Sequence, residues 1–115
     1  MNLIKRLIET AEADSQLWFK NRKMGDRAES PRDIDFVLYA KDKGRASLVA
    51  NFVTDYRYGH PLIQRVKFRG TVSWRLVITI HAPATENVVM TLSAFMVCLS
   101  QLYGLEYDGW GTTIE

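Results

Sequence analysis

Cysteine is almost missing from this 115-residue chain: Cys98 stands alone. No intrachain disulfide can form, so a reducing, cytoplasmic setting is expected. No apolar run approaches the roughly 18 residues of a membrane span. In "MNLIKRLIETAEADSQLWF" charges break up the apolar positions, so a secretory signal is not expected. Histidine occurs twice, as His60 in "YGHP" and His81 at the end of a strand-like run. The expected pairing sends the two to opposite sheet faces, and two histidines with one distant cysteine are too few for a metal site. The chain holds no GxSxG, no P-loop and no GxGxxG. Neither a metal nor a cofactor is expected, and no catalytic residue is assigned. The net charge of +2 is too small to argue for a nucleic-acid partner by itself.

What is present reads as one soluble α+β unit. Leu3, Ile4, Leu7, Ile8 and Ala11 recur at helical spacing, and the helix extends toward Lys23. "MGDRAESPRD" reads as a connection. "IDFVLYA" (34–40) is strand-like, and Asp42 is placed to cap a helix with Leu48, Val49, Phe52, Val53 and Tyr56 inward. "LIQRVKF" (62–68) and "SWRLVITIH" (73–81) read as a hairpin around Gly70. Thr85 then caps a last helix whose expected buried stripe is Val88, Leu92, Phe95, Met96, Leu99, Leu102 and Tyr103. Gly104 ends it, and "LEYDGWG" opens a fourth strand.

After the first helix the order is βαββαβ, a ferredoxin-like sandwich with two helices on one face of a four-stranded antiparallel sheet. The expected division is an N-terminal helix and connection (1–30) followed by that domain (31–115). Alternation puts Ile34, Phe36, Leu38, Trp74, Leu76, Ile78 and Ile80 inward. Matching apolar with apolar across the hairpin pairs Val66 with Leu76 and Phe68 with Trp74. The uncovered face then carries Arg65, Lys67, Arg69 and Arg75 beside Val37, Tyr39 and Val77. Two readings follow: a solvated face with the first helix folded over its apolar strip, or a contact surface for a partner. "SWRLVITIH" lacks the aromatic pattern of RNA-binding sheets, so direct nucleic-acid contact is not expected. Cys98 reads as a packed small hydrophobe. Asp33, Asp35, Glu106 and Asp108 approach one another if the fourth strand lies beside the first, more as solvated charges than as an acid–base pair.

The tail "LSQLYGLEYDGWGT" places Trp110 between two glycines, either as a packed staple or as a partner-facing anchor. This stretch resembles the end of the regulator of ribonuclease activity B (RraB) family, the ribonuclease E inhibitors. "GDRAESPRDIDFVLYA" is similar to that family's approach to its first strand. The resemblance covers roughly residues 17–115. It implies the ferredoxin-like fold and a non-catalytic role through protein contact, with ribonuclease E the implied partner. The positions it carries over are Tyr107, Asp108, Gly109, Trp110 and Gly111, with Gly25, Asp26, Arg32 and Asp35. The family's inhibitors are strongly acidic, as suits an arginine-rich partner, whereas this chain is slightly basic. An interaction module with another partner, of immunity type or homodimeric, is the alternative, and a small pocket between sheet and first helix is where an enzyme would place its titratable groups.

Overall fold

A computed structural model describes residues 2–115 and, for Phe68, the backbone alone. The elements in chain order are α1 (Leu3–Lys23), β1 (Pro31–Ala40), α2 (Lys43–Asp55), β2 (His60–Phe68), β3 (Thr71–Pro83), α3 (Glu86–Tyr103) and β4 (Glu106–Thr112). Local chemistry sets the helix ends. The Asn2 side chain accepts from the Ile4 and Lys5 N–H groups, and Lys20, Arg22 and Lys23 sit in the last turn of α1, where the helix dipole favours cations. Asp42 caps α2 by accepting from the Arg45 N–H at 2.9 Å. Thr85 occupies the cap position of α3, but its hydroxyl donates to Asn87 instead of accepting from the helix. Gly104 closes α3 with φ of 72°, a left-handed turn that suits glycine.

The sheet is antiparallel in the order β2-β3-β1-β4, as the ferredoxin-like reading requires. Above one face, α2 packs on β2 and β3, while α3 packs on β4 and β1. Ile34, Phe36, Leu38, Leu76 and Ile78 point into that interface and are fully buried. Facing them are Val49 and Val53 of α2 and Val89, Met96 and Val97 of α3. Burying each such side chain contributes roughly 1.5–3 kcal/mol before entropy is counted.

Three expectations need correction. The two helical stripes are rotated from the expected ones: Leu48, Tyr56 and Leu102 are exposed, while Ala46, Ala50, Ser93 and Ser100 are buried. Small residues take those positions because the helices lie close to the sheet and to each other. Second, α1 does not cover the apolar strip of the open face; it packs against α3 and touches β4 on the helical side.

Third, the hairpin register differs by an odd number of residues. Phe68 pairs with Thr71, Arg65 with Trp74 and Ile63 with Leu76. The side chain of Phe68, expected beside Trp74, lies outside what is described. Arg69 and Gly70 have φ of 51° and 77°, so they form a two-residue turn with both positions left-handed, the geometry that suits tight hairpins. That turn fixes the register and moves Arg65 and Lys67 to the helical side of edge strand β2, where both remain exposed. Arg75 stays on the open face, so the expected basic cluster is divided between two surfaces. The same register pairs His60 with Thr79, which puts it on the face that carries His81, not the opposite one.

Candidate functional site

The tail and the connection before β1, far apart in the chain, meet. Arg32 is 3% exposed, and its guanidinium donates to the Asp26 carboxylate and the Arg27 carbonyl. It also donates to the carbonyls of Ser30 at 3.0 Å and Thr113 at 3.1 Å. The Asp26 carboxylate in turn accepts from the Glu115 N–H at 3.0 Å, and the Arg27 N–H donates to the Glu115 carbonyl at 2.9 Å. Burial alone would push the Asp26 carboxyl up. The Glu115 N–H and the Arg32 guanidinium outweigh it and hold the group below the usual carboxylate range.

Strand β4 contains an irregularity that alternation does not reveal. Tyr107 pairs with Leu38 and Gly109 with Val37, so Asp108 is an extra residue on the β4 side. Tyr107 and Trp110 are three apart and would face opposite ways along a regular strand. The bulge turns both inward, opposite Leu38 and Phe36. Gly109 has φ of 128°, a conformation that L side chains avoid, while the space around it is open. Conformation, not crowding, demands glycine there.

The two inward rings receive α1. The hydroxyls of Tyr107 and Ser93 of α3 share a hydrogen bond at 2.7 Å, and Ser93 is an electrostatic neighbour of the Asp14 carboxylate of α1. Arg6 donates to the Tyr107 carbonyl at 2.7 Å, and the Trp18 indole N–H donates to the Ala84 carbonyl at 2.9 Å. The indole N–H of Trp110 is an electrostatic neighbour of the Asp14 carboxylate but has no partner at full hydrogen-bond geometry. The two buried residues of α1, Thr10 and Asp14, are both polar, while Ile4, Ile8 and Phe19 are more than half exposed. Thus α1 is seated through a polar seam, with apolar Leu7, Leu17 and Trp18 packed partly alongside.

Burial raises the Asp14 carboxyl above its ordinary range, against the Ser93 and Trp110 donors and the Arg6 charge. It also raises the Tyr107 phenol, which therefore stays protonated. A carboxyl raised in the folded state destabilises when ionised; that penalty fades as the pH falls through the folded value. Asp14→Asn is therefore expected to melt above the parent at pH 8, by on the order of 1 kcal/mol or about 4 °C. The gap should close near pH 4. Thermal melts across that range check it, and an Asp14→Asn protein less stable than the parent at pH 8 refutes it. Asp14 and Tyr107 are the titratable pair between α1 and the sheet; both are buried, and both line a small cavity of about 100 Å³ between α1 and β4.

The open face is the accessible surface. Asp33 meets His81 at 3.0 Å, and Thr79 donates to Asp35 at 2.6 Å. Val37, Tyr39, Arg75 and Val77 lie between these pairs and the acids Glu106 and Asp108 at the β4 side. A shallow groove of about 870 Å³ crosses this region and is lined in part by Asp33, Asp35, Arg75, His81 and Asp108. The four acids named from the sequence are therefore brought to one side of the molecule. Of the five tail positions, Asp108, Gly109 and Gly111 reach the surface, whereas the side chains of Tyr107 and Trp110 are buried, so the packed staple is the reading the geometry supports. Sequence reasoning missed Asp14, Ser93 and Arg6; the one signal for them is an aspartate on the apolar side of α1. No three His, Cys, Asp or Glu gather as a metal would need, and no helix is long and apolar enough to cross a membrane, among the described residues.

Comparison with known proteins adds one match. The family model described as regulator of ribonuclease activity B aligns with residues 11–112, which include the Asp26–Arg32 clamp and the whole of β4. Among curated proteins, none matches the chain significantly.

Proposed function

The chain belongs to the regulator of ribonuclease activity B family, and from that premise we propose that it is a non-catalytic cytoplasmic regulator that binds ribonuclease E and restrains RNA cleavage. The family match carries this reading. The polar seam is compatible with it: the buried titratable groups Asp14 and Tyr107 take part in seating α1 on α3 and β4. We assign the contact to the open face, through Asp35, Tyr39, Arg75, Glu106 and Asp108. The tail contributes Asp108, Gly109 and Gly111 at the surface, with Tyr107 and Trp110 holding them from beneath. Exposed acids dominate this side and complement a basic segment on a partner, which gives both orientation and a faster encounter. Arg65, Lys67 and Arg69 lie along β2 and its turn, and Lys67 reaches the groove that Arg75, Glu106 and Asp108 also line.

Purified protein is expected to slow ribonuclease E cleavage without cutting RNA itself. Reversing two rim charges, Glu106→Lys with Asp108→Lys, should weaken that inhibition by roughly tenfold, since each like-charge juxtaposition opposes binding. Cleavage unchanged at saturating protein would remove ribonuclease E as the partner.

A further inference from the structure

Charge is distributed along this chain very unevenly. Residues 41–75 hold eight of the 15 Lys and Arg but two of the 13 Asp and Glu, a balance of +6 that falls to +5 without Arg75, which stands on the open face; the remaining residues balance at −4. No Lys or Arg follows Arg75. In the fold, residues 41–75 form α2, β2 and the start of β3, one flank of the molecule. We propose that this flank binds single-stranded RNA directly, as a second surface centred on α2 and β2. The inference does not rest on the nuclease partner, because it follows from the placement of charge and rings alone.

The hairpin register supplies the geometry. Arg65 lies directly across from Trp74 on the helical side of the sheet, and Lys67 follows in the same row of β2. The Lys43 ammonium sits 5.6 Å from the centroid of the Trp74 ring. Trp74 is half-buried, and Lys43, Arg65 and Lys67 are exposed. The Lys43 ammonium lies over the ring face, so a base would stack there in its place, with the displaced ammonium, Arg65 and Lys67 meeting its phosphates. A second aromatic step lies at the far end of α2, about 20 Å away by the helical rise over its 13 residues. There Tyr56 and Tyr58 are 66% and 46% exposed, their rings 5.3 and 5.5 Å from Phe52, with Arg57 between them in sequence. Of the two acids in the segment, Asp42 pairs with Arg45 and offsets its charge, and Asp55 ends α2; both are already counted in the balance of +6.

The rings favour RNA over an acidic protein. Stacking is worth roughly 1–3 kcal/mol per base and tolerates any sequence, whereas a string of carboxylates gains little from a ring face. An RNA site on this flank would let the protein hold a transcript beside the enzyme it regulates.

The test is fluorescence anisotropy of a labelled 12-nucleotide oligouridine RNA with the whole chain and no nuclease present. Saturable binding is expected at low salt. With about four phosphates contacted, affinity should fall roughly 50-fold between 50 and 200 mM salt. Arg65→Glu with Lys67→Glu, both exposed, should weaken binding at least about tenfold. Trp74→Leu should weaken it about tenfold through lost stacking, and the doubly charge-reversed hairpin keeps the test sound if Trp74→Leu folds poorly. Glu106→Lys with Asp108→Lys on β4 should leave RNA affinity undiminished. The proposal is overturned by no binding at about 100 µM protein and 50 mM salt, the weak end of non-specific affinities. It is equally overturned if an oligoglutamate peptide binds as tightly as the RNA. Failure here would leave nuclease inhibition untouched, and loss of inhibition would leave RNA binding untouched, so the two readings fail separately.

Discussion

Arg32→Ala is expected to destabilise the fold by about 3–5 kcal/mol, because it strands a buried carboxylate along with three carbonyls. Arg32 is the common donor to Asp26, Arg27, Ser30 and Thr113. Removing it leaves Asp26, itself 8% exposed, with the Glu115 N–H as a donor. For a chain of this length the loss corresponds to a fall in melting temperature of roughly 10–20 °C. Arg32→Lys keeps the charge but not the planar fork, so it should recover only part of the loss. The effect should also depend on pH in a definite direction. The folded-state value of Asp26 is depressed, so its contribution is fully present above the ordinary carboxylate value near 4 and is lost as the pH falls through the folded value. In the alanine variant the stranded carboxyl no longer resists protonation. The gap between parent and variant should therefore narrow on acidification toward about pH 4. Urea unfolding at pH 7.5 and at pH 4 measures it. A variant within about 1 kcal/mol of the parent at pH 7.5 would show that Arg32 is not what closes tail onto connection.

How much of this was legible beforehand depended on which strand a residue occupies. Strands β1 and β3 are central, with neighbours on both sides and helices above, so the more apolar parity of each is the covered one and their faces follow from alternation. Ile34, Phe36, Leu38, Leu76 and Ile78 are all found where that argument puts them. Strand β2 is an edge, and its apolar residues mislead: Leu62, Val66 and Phe68 share one parity against Ile63 on the other, yet it is Ile63 that pairs with buried Leu76. Hydrophobic matching loses to the two-residue turn, which decides the register. Gly70 signals that turn, but an arginine with φ of 51° before it disguises a geometry more often marked by Asn-Gly.

The candidate site was harder to read for a related reason. The four acids could be gathered from strand order, since adjacency of β1 and β4 follows from the fold. The bulge at Asp108 could not, because an inserted residue leaves no trace in composition and reverses the parity of everything beyond it. The seat of α1 was hidden by its own pattern. A helix whose apolar Ile4, Ile8 and Phe19 face outward while Thr10 and Asp14 face inward contradicts the rule that periodicity reads out the buried side. The correction has a consequence for function. Because the odd register shift carries Arg65 and Lys67 away from Arg75, the molecule does not present one basic sheet face. It presents an acidic side and a basic, ring-bearing side, each with its own partner chemistry.

Trp110→Ala is the second large effect expected, at about 3–5 kcal/mol. An indole of roughly 200 Å² at about 25 cal/mol per Å² gives a transfer contribution of about 5 kcal/mol, consistent with that range. Trp110 is 7% exposed and belongs to the central apolar cluster, while its N–H faces the Asp14 carboxylate. Its loss removes packing under β4 and one of the donors that stabilise Asp14, so the seam with α1 should loosen along with the global fold. Amide exchange should therefore speed up first in α1, and at lower denaturant than in β1 or β3. Trp110→Phe refills much of the volume without the N–H, so it should restore most of the global stability while the α1 amides still exchange faster than in the parent. A partner-facing anchor gives the opposite signature: Trp110→Ala would keep the parent's melting temperature and α1 protection and lose affinity for the partner alone. Were that the outcome, the indole would have to leave its pocket on binding, and the inward turn that the Asp108 bulge imposes on it would not describe the bound state.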